Sequence, residues 1–101
     1  MSSGLKHLSE LAEAALAKCQ RRQWKRDWVH GGSYLHLESS EFMEALRGKR
    51  TKSEAELIDL GANEAECEAA DVLFVLLSMV AANGLSLRRI LYRLDKLVSE
   101  Q

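Results

Sequence analysis

The stretch ECEAADVLFVLLSMVAA, residues 66–82, decides the fold class of this chain. Its second half is apolar almost without interruption, which is typical of a buried helix. Two acids, Glu68 and Asp71, stand three residues apart at its polar start. A helix places residues at this spacing on one face. We therefore expect a long helix that is apolar on nearly all sides below Asp71 and needs cover from several neighbours.

The rest of the chain has the composition of an all-α protein. It has 101 residues, contains no proline, and is rich in Ala, Leu, Glu, Lys and Arg, which favours helix over strand. One domain, residues 1–101, matches this length, because 47% apolar residues support a single modest core. The expected four-helix bundle has helices over about residues 5–26, 33–47, 62–82 and the segment after the cap Ser86, with a short helical turn over 53–61. The glycines of His30-Gly31-Gly32-Ser33 are expected to break the first helix, and Ser33 to cap the second.

A second pair of acids, Glu38 and Glu41, lies in LHLESSEFMEAL, residues 35–46. Acids three residues apart occur elsewhere in this chain, so the spacing alone decides nothing. At about 100° per residue, however, both this pair and the pair Glu68 and Asp71 fall beside the apolar face of their helix. The acids of the first helix fall away from its leucine stripe. Only the two selected pairs are therefore predicted to face the interior.

Four inward carboxylates require compensation, because ionised acids are costly to desolvate and repel one another. All-oxygen ligation suits Mg²⁺, with Mn²⁺ as an alternative. Two interpretations stay open from the residues alone: a divalent metal site, or rim carboxylates that form salt bridges with Arg and Lys. A di-iron site of the four-helix type would normally include a Glu-x-x-His arrangement, which neither pair supplies.

The order of these motifs resembles a known family. ESSE at residues 38–41, followed by EAADVLFVLLSMVAANGLSL at residues 68–87, is similar to the MazG-like all-α nucleoside triphosphate pyrophosphatases. The resemblance covers roughly residues 28–98. It implies a MazG-like bundle completed by oligomerisation, as a homodimer or homotetramer. It also implies a Mg²⁺-dependent hydrolase that converts (d)NTP to (d)NMP and pyrophosphate, serving as a house-cleaning enzyme of the nucleotide pool.

The same resemblance implies roles for particular residues. The metal ligands would be Glu38, Glu41, Glu68 and Asp71. Such a metal site neutralises the triphosphate and activates a water, and Glu41, with Glu38 beside it, is the expected catalytic acceptor of the water's proton.

Five further residues are predicted to contact the substrate. They are Trp28, His30, Arg47, Lys49 and Lys96. The first two precede the ESSE helix, where the resemblance implies a base pocket, and the three cations could reach triphosphate oxygens. The alternative for the basic, tryptophan-containing segment, residues 20–30, is that its aromatic side chains pack within the fold and its cations complement the dipole at the end of the first helix. Trp24 is interpreted as structural. The alternative for the cations after the ESSE helix is a solvated loop.

Charge and cysteine content limit the other function classes. The net charge of -1 and the pI near 6.3 argue against a protein that coats nucleic acid or membrane. Two cysteines without a CxxC pattern favour a reducing, cytoplasmic setting. The rival from another class is a non-catalytic helical interaction module that binds partner proteins through its acidic clusters and apolar stripes. A weaker rival is a nucleic-acid binder acting through QRRQWKR, residues 20–26.

Overall fold

The computed structural model describes residues 2–100, and within that range the chain forms five α-helices and no strand. The helices are α1 (Ser2–Arg21), α2 (His30–Leu46), α3 (Glu54–Leu60), α4 (Glu64–Ala82) and α5 (Leu87–Ser99). The all-α class is thus confirmed, and the predicted short turn is the helix α3. None of these helices is both long and apolar enough to cross a membrane.

Helix α4 is the centre of the structure, as its apolar sequence predicts. It packs against α1 on one side and α2 on another, whereas α5 contacts α1 only marginally. The buried apolar side chains are small or β-branched. They are Ala12, Ala15 and Cys19 of α1, and Val75 and Val80 of α4. Small side chains let α1 approach α4 closely, so the core is tight but contains little apolar volume.

The prediction that α1 continues to about residue 26 was wrong at its C-terminal end. The helix ends at Arg21 because Gln23 adopts a positive φ of 59°, which a non-glycine residue takes only at a cost of about 1 kcal/mol. The amide of Trp24 then donates to the carbonyl of Cys19 at 2.8 Å, which closes the helix end. This turn redirects the following residues toward α4, and Arg26 becomes buried.

The predicted break at residues 30–33 was also wrong, because α2 begins at His30 and includes both glycines. Asp27 provides the start signal. Its Oδ1 accepts hydrogen bonds from the backbone amides of His30 at 2.8 Å and Val29 at 3.1 Å. Asp27 therefore performs the capping that the sequence had suggested for Ser33.

Gly31 marks the closest approach of α2 to α4. It is buried, and a Cβ at this position would lie 2.9 Å from Cγ of Met79. Its neighbour Gly32 has no heavy atom within 4 Å of the corresponding point. The two glycines therefore have different roles in one helical turn.

Side-chain caps fix where the remaining helices begin. Ser53 and Glu56 form the predicted reciprocal capping box of α3, and Asn63 and Glu66 form a second one at the start of α4. The predicted cap Ser86 accepts from the amide of Arg89 at 3.2 Å. These caps set the helical register of α4, and with it the direction of the acids in its first two turns.

A large apolar surface remains uncovered in the single chain. The accessible surface is 7577 Å², whereas a folded monomer of this mass is expected to expose roughly 5,700 Å². Helix α5 has no buried residue, although it carries a clear apolar stripe. Its exposed members include Ile90, Leu94, Leu97 and Val98. The chain therefore has more apolar surface than its own packing covers.

The two glycines of α2 give a matched test of this packing. Gly31→Ala should lower the free energy of unfolding by about 1–3 kcal/mol, because its Cβ displaces Met79. Gly32→Ala should raise it by about 0.5–1 kcal/mol, because alanine loses less backbone entropy on helix formation. Urea denaturation of both variants measures the difference. Equal stabilisation by both substitutions would contradict the close approach of α2 to α4.

Candidate metal centre

Three glutamates converge where α2 and α4 pack together. Carboxylate oxygens of Glu38, Glu41 and Glu68 all lie within 4.8 Å of one another. Glu68 is buried, Glu38 is half-buried and Glu41 is exposed. The cluster therefore runs from the interior to the surface, so that a ligand could approach it from solvent.

The fourth predicted acid, Asp71, adjoins this tight group without belonging to it. It lies one helical turn after Glu68 and is exposed. Desolvation raises the pKa of its carboxyl, and repulsion from Glu68 raises it further, while the charge of Lys52 opposes the shift. The charges of the four acids therefore interact, and three of them, Glu38, Glu41 and Glu68, have carboxylate oxygens close enough to bind one ion.

The buried carboxylates are not fully compensated by the protein. Desolvation, followed by repulsion from Glu41, Asp71 and Glu68, raises the pKa of Glu38 to about 7. One oxygen of Glu38 and one of Glu68, the Oε2 atom in each case, are buried with no hydrogen-bond partner among the described residues. Buried polar atoms normally have a partner, so a cation or a hydrogen-bond donor could bind at these two oxygens. An all-oxygen set of this kind fits Mg²⁺ or Mn²⁺.

Lys52 supplies part of the missing positive charge. Its Nζ donates to Oε1 of Glu68 at 3.1 Å and to Oε2 of Glu64 at 3.3 Å. The sequence predicts that this lysine lies in the loop after the ESSE helix, either as a cation that reaches triphosphate oxygens or as a solvated side chain. The structure instead holds Lys52 over the acids. Its Nζ bonds Oε1 of Glu68, whereas Oε2 of Glu68 has no partner among the described residues.

Glu64 is a structural acid that anchors this loop. Its Oε1 accepts from the backbone amides of Thr51 at 3.1 Å and Lys52 at 3.0 Å. Its Oε2 accepts from the Thr51 hydroxyl at 3.0 Å. These bonds, led by the one from the Lys52 amide, lower the pKa of Glu64 to about 2. Glu64 is fully engaged by the loop, so of the two buried acids of α4 only Glu68 has an oxygen without a partner among the described residues.

Two cavities flank the acids. The first, here the aromatic cavity, has a volume of about 580 Å³ and lies between α1, α2 and α4. It is lined by Lys18, Trp24, Arg26, Tyr34, Glu38, Ala70, Asp71, Phe74 and Val75. The second, here the polar cavity, has a volume of about 380 Å³. It is lined by Leu37, Ser40, Glu41, Glu44, Ala45, Lys49, Thr51, Glu64 and Glu68. Each cavity includes two of the four acids that were predicted as metal ligands.

The aromatic cavity has a defined internal geometry. The rings of Trp24 and Phe74 meet edge to face, with centroids 6.5 Å apart and planes at 90°. The guanidinium of Arg26 lies over the Trp24 ring at 5.8 Å and over the Tyr34 ring at 5.2 Å. Flat aromatic faces next to fixed donors are typical of sites that bind planar ligands.

The five predicted substrate residues lie in different places. Lys49 lines the polar cavity. Trp28 is 82% exposed and lines neither cavity, and His30 pairs with Asp27 at the surface. Arg47 pairs with Glu44 at 3.4 Å. Lys96 lies on α5 over the ring of Tyr92.

None of the residues that line the aromatic cavity was among the five predicted substrate residues, and three of them supply two of its rings and its interior cation. They are Trp24, Arg26 and Tyr34. The placement of Trp24 and Arg26 follows from the early end of α1, which the positive φ of Gln23 sets and which no periodicity indicates, whereas Tyr34 lies on α2. The basic segment 20–26 is consequently not one surface, because Arg26 points inward.

Comparison of this chain with protein-family profiles, with curated proteins and with solved structures found no match. The family resemblance therefore stays a prediction based on the sequence motifs.

The raised pKa of Glu38 predicts a pH dependence of stability in metal-free solution. Its folded-state pKa of about 7 lies above the ordinary value of 4.5, so between these values the folded state binds more protons than the unfolded state. The free energy of unfolding should therefore fall as the pH rises from about 4.5 to about 7. Urea denaturation in the presence of a chelator measures this profile.

Glu38→Gln should remove this part of the pH profile, because the amide does not titrate. Glu10→Gln, on the exposed side of α1, should leave the profile as in the wild type. Parallel profiles for the wild type and Glu38→Gln would contradict the raised pKa.

Proposed function

We propose that this chain is a Mg²⁺-dependent nucleoside triphosphate pyrophosphohydrolase, in which Mn²⁺ can replace Mg²⁺. Its reaction converts (d)NTP to (d)NMP and pyrophosphate. The observation that carries the proposal is the convergence of Glu38, Glu41 and Glu68, two of which have a buried oxygen without a partner in the described part of the chain. The ESSE and EAAD motifs add the reaction class by resemblance.

The two cavities support a ligand with a planar end and a polyanionic end. Glu38 and Asp71 line the aromatic cavity, and Glu41 and Glu68 line the polar cavity. A nucleotide bound across the acids would place its base among aromatic rings and its triphosphate beside the cluster. Lys49 in the polar cavity would then offer a cation to the phosphates that leave as pyrophosphate.

The reaction requires a water oxygen to bond the α-phosphorus while the bond from that phosphorus to the bridging oxygen breaks. A divalent ion held by Glu38, Glu41 and Glu68 would supply charge neutralisation and a more acidic water. Glu41 reaches solvent and is suited to accept the proton of the attacking water. Glu38, with a pKa near 7 before metal binding, is the second candidate for this transfer.

The biological setting we propose is the cleaning of the nucleotide pool in the cytoplasm. Cys19 and Cys67 are both free thiols, which suits a reducing compartment.

We further propose a MazG-like bundle completed by a homodimer or homotetramer. The exposed surface exceeds that of a typical monomer by roughly 1,800 Å², and a standard interface buries about 800 Å² on each partner. Ile90, Leu94 and Leu97 of the apolar stripe of α5 line a shallow groove. We expect a second copy of the chain to cover this face.

A panel of the four dNTPs with Mg²⁺ tests the enzyme proposal. The expected products are monophosphate and pyrophosphate, separated by ion-exchange chromatography. Glu41→Gln should lower kcat by about 100-fold or more, because it removes a metal ligand and a proton acceptor. The fold should remain, since the change also removes repulsion within the cluster.

Glu10→Gln is the control for this test. Glu10 is an exposed residue of α1 that lines neither cavity. Its activity should stay within a few-fold of the wild type. Absence of turnover with all four dNTPs and both metals would contradict the proposed activity.

Leu94→Asp tests the oligomer. A charge in the apolar stripe of α5 should convert the oligomer to monomer, as measured by light scattering after gel filtration. Asp95→Asn, at an exposed position of the same helix outside that groove, should leave the assembly intact. A wild-type protein that is monomeric at micromolar concentration would contradict the proposal.

The uncovered face of α5 also favours the rival class, an interaction module without catalysis. Such a module would bind a helical partner through α5 and would be indifferent to metal. It predicts no turnover, and partner binding that Glu41→Gln leaves unchanged.

A further inference from the structure

Arg26 is an interior cation in the aromatic cavity. It is only 6% exposed and lies in the segment between α1 and α2. Its Nε donates to Oγ of Ser78 at 2.8 Å, and its Nη1 donates to the carbonyl of Lys25 at 3.1 Å. Within residues 4–100, no carboxylate forms an ion pair with it, and no hydrogen bond uses its Nη2.

This arrangement is unusual for a buried arginine. A buried charge is normally paired with an acid, since desolvation of an unpaired guanidinium is costly. Stacking on the rings of Trp24 and Tyr34 offsets only part of this cost. The free end of the guanidinium is therefore available to a ligand in the cavity.

Ser78 fixes the direction of this free end. The serine is completely buried, and its Oγ donates to the carbonyl of Val75 at 2.8 Å while accepting from Nε of Arg26. With Nε held in this way and one N–H of Nη1 bonded to the Lys25 carbonyl, the second N–H of Nη1 and an adjacent N–H of Nη2 remain as a planar pair of donors. A planar pair of donors matches two adjacent acceptors on a flat ligand.

We propose that Arg26 reads the base of the bound nucleotide and selects bases that present two adjacent acceptors on one edge. This inference rests on the proposed function. Guanine offers such an edge through O6 and N7, and cytosine through O2 and N3. Adenine and thymine offer an acceptor beside a donor on the corresponding edges, so one donor of Arg26 would face another.

The surroundings of Arg26 favour a base over a phosphate as its partner. Aromatic rings flank the guanidinium, and the acids Glu38 and Asp71 line the same cavity. The aromatic rings that line this cavity can pack against a planar, uncharged base. Lys49, the cation proposed to contact the phosphates, lines the polar cavity instead.

Binding of the four deoxynucleoside monophosphates to the intact protein tests the proposal, because these ligands have no anhydride bond to hydrolyse. Isothermal titration calorimetry with Mg²⁺ should show dGMP and dCMP binding about tenfold more tightly than dAMP and dTMP, the discrimination expected of one bidentate contact. The values of kcat/KM for the four triphosphates should follow the same order. Equal affinities for all four bases, or equal kcat/KM values, would overturn the proposal and point to a phosphate contact instead.

Two substitutions at Arg26 separate base reading from packing. Arg26→Met should abolish the preference, and Arg26→Lys should also abolish it, because lysine keeps the charge but lacks the planar pair of donors. Ser78→Ala keeps the arginine and removes only the acceptor of Nε, so it should reduce the preference without loss of helical circular dichroism. If Arg26→Met fails to fold, the other two variants decide the question, and retention of the preference in both would overturn the proposal.

Arg22→Met is the matched control. Arg22 also lies over the Trp24 ring, at 5.7 Å, but it is exposed and does not line the aromatic cavity. Its base preference should equal that of the wild type.

Failure of this inference can be distinguished from failure of the proposed function. Hydrolysis of all four dNTPs with equal kcat/KM would leave the enzyme in place and remove the role of Arg26. A preference for dGMP and dCMP without hydrolysis of any triphosphate would keep the role of Arg26 in base recognition and remove the proposed hydrolase activity.

Discussion

The constraint on which the structure depends is the crowding of ionised carboxylates at the junction of α2 and α4. Glu38 and Glu68 each bury an oxygen that no described group satisfies. The protein meets this cost only in part, through Lys52 and through a pKa of Glu38 near 7. A packed hydrophobic pair in the same place would be easier to bury, and this uncompensated cost is the physical basis of the metal site that we propose.

The scaffold around this junction is organised to hold the acids in place. Gly31 allows α2 to approach α4 closely, and the cap formed by Asn63 and Glu66 fixes the register of α4. Glu64 ties the preceding loop to α4 through Thr51 and Lys52. Little of this depends on a large core, since the buried apolar residues are few and α5 is almost unsupported. The site is thus more tightly defined than the outer surface of the molecule.

Periodicity and capping chemistry predicted much of this arrangement. Periodicity beside an apolar face correctly directs Glu38 and Glu68 toward the interior, whereas Glu41 and Asp71, which were also expected to face inward, are exposed. The caps Ser53 and Ser86 follow from local hydrogen-bonding chemistry. Periodicity and capping chemistry predict neither the positive φ of Gln23 nor the contact of Lys52 with the acids. A positive φ at glutamine has no sequence signature, and the contact from Lys52 to Glu68 joins residues whose proximity arises only when the helices pack. The aromatic cavity depends on the first of these, so Arg26 and Trp24 could not be assigned to it from sequence.

Titration of Mn²⁺ into the nucleotide-free protein, followed by electron paramagnetic resonance, tests the metal centre most directly. The wild type should bind at least one Mn²⁺ per chain, and Glu68→Gln should weaken that binding by about tenfold or more. Glu13→Gln, an exposed residue of α1, should bind as the wild type does. Equal Mn²⁺ binding by the wild type and Glu68→Gln, or none by either, would contradict the assignment of these carboxylates to a metal.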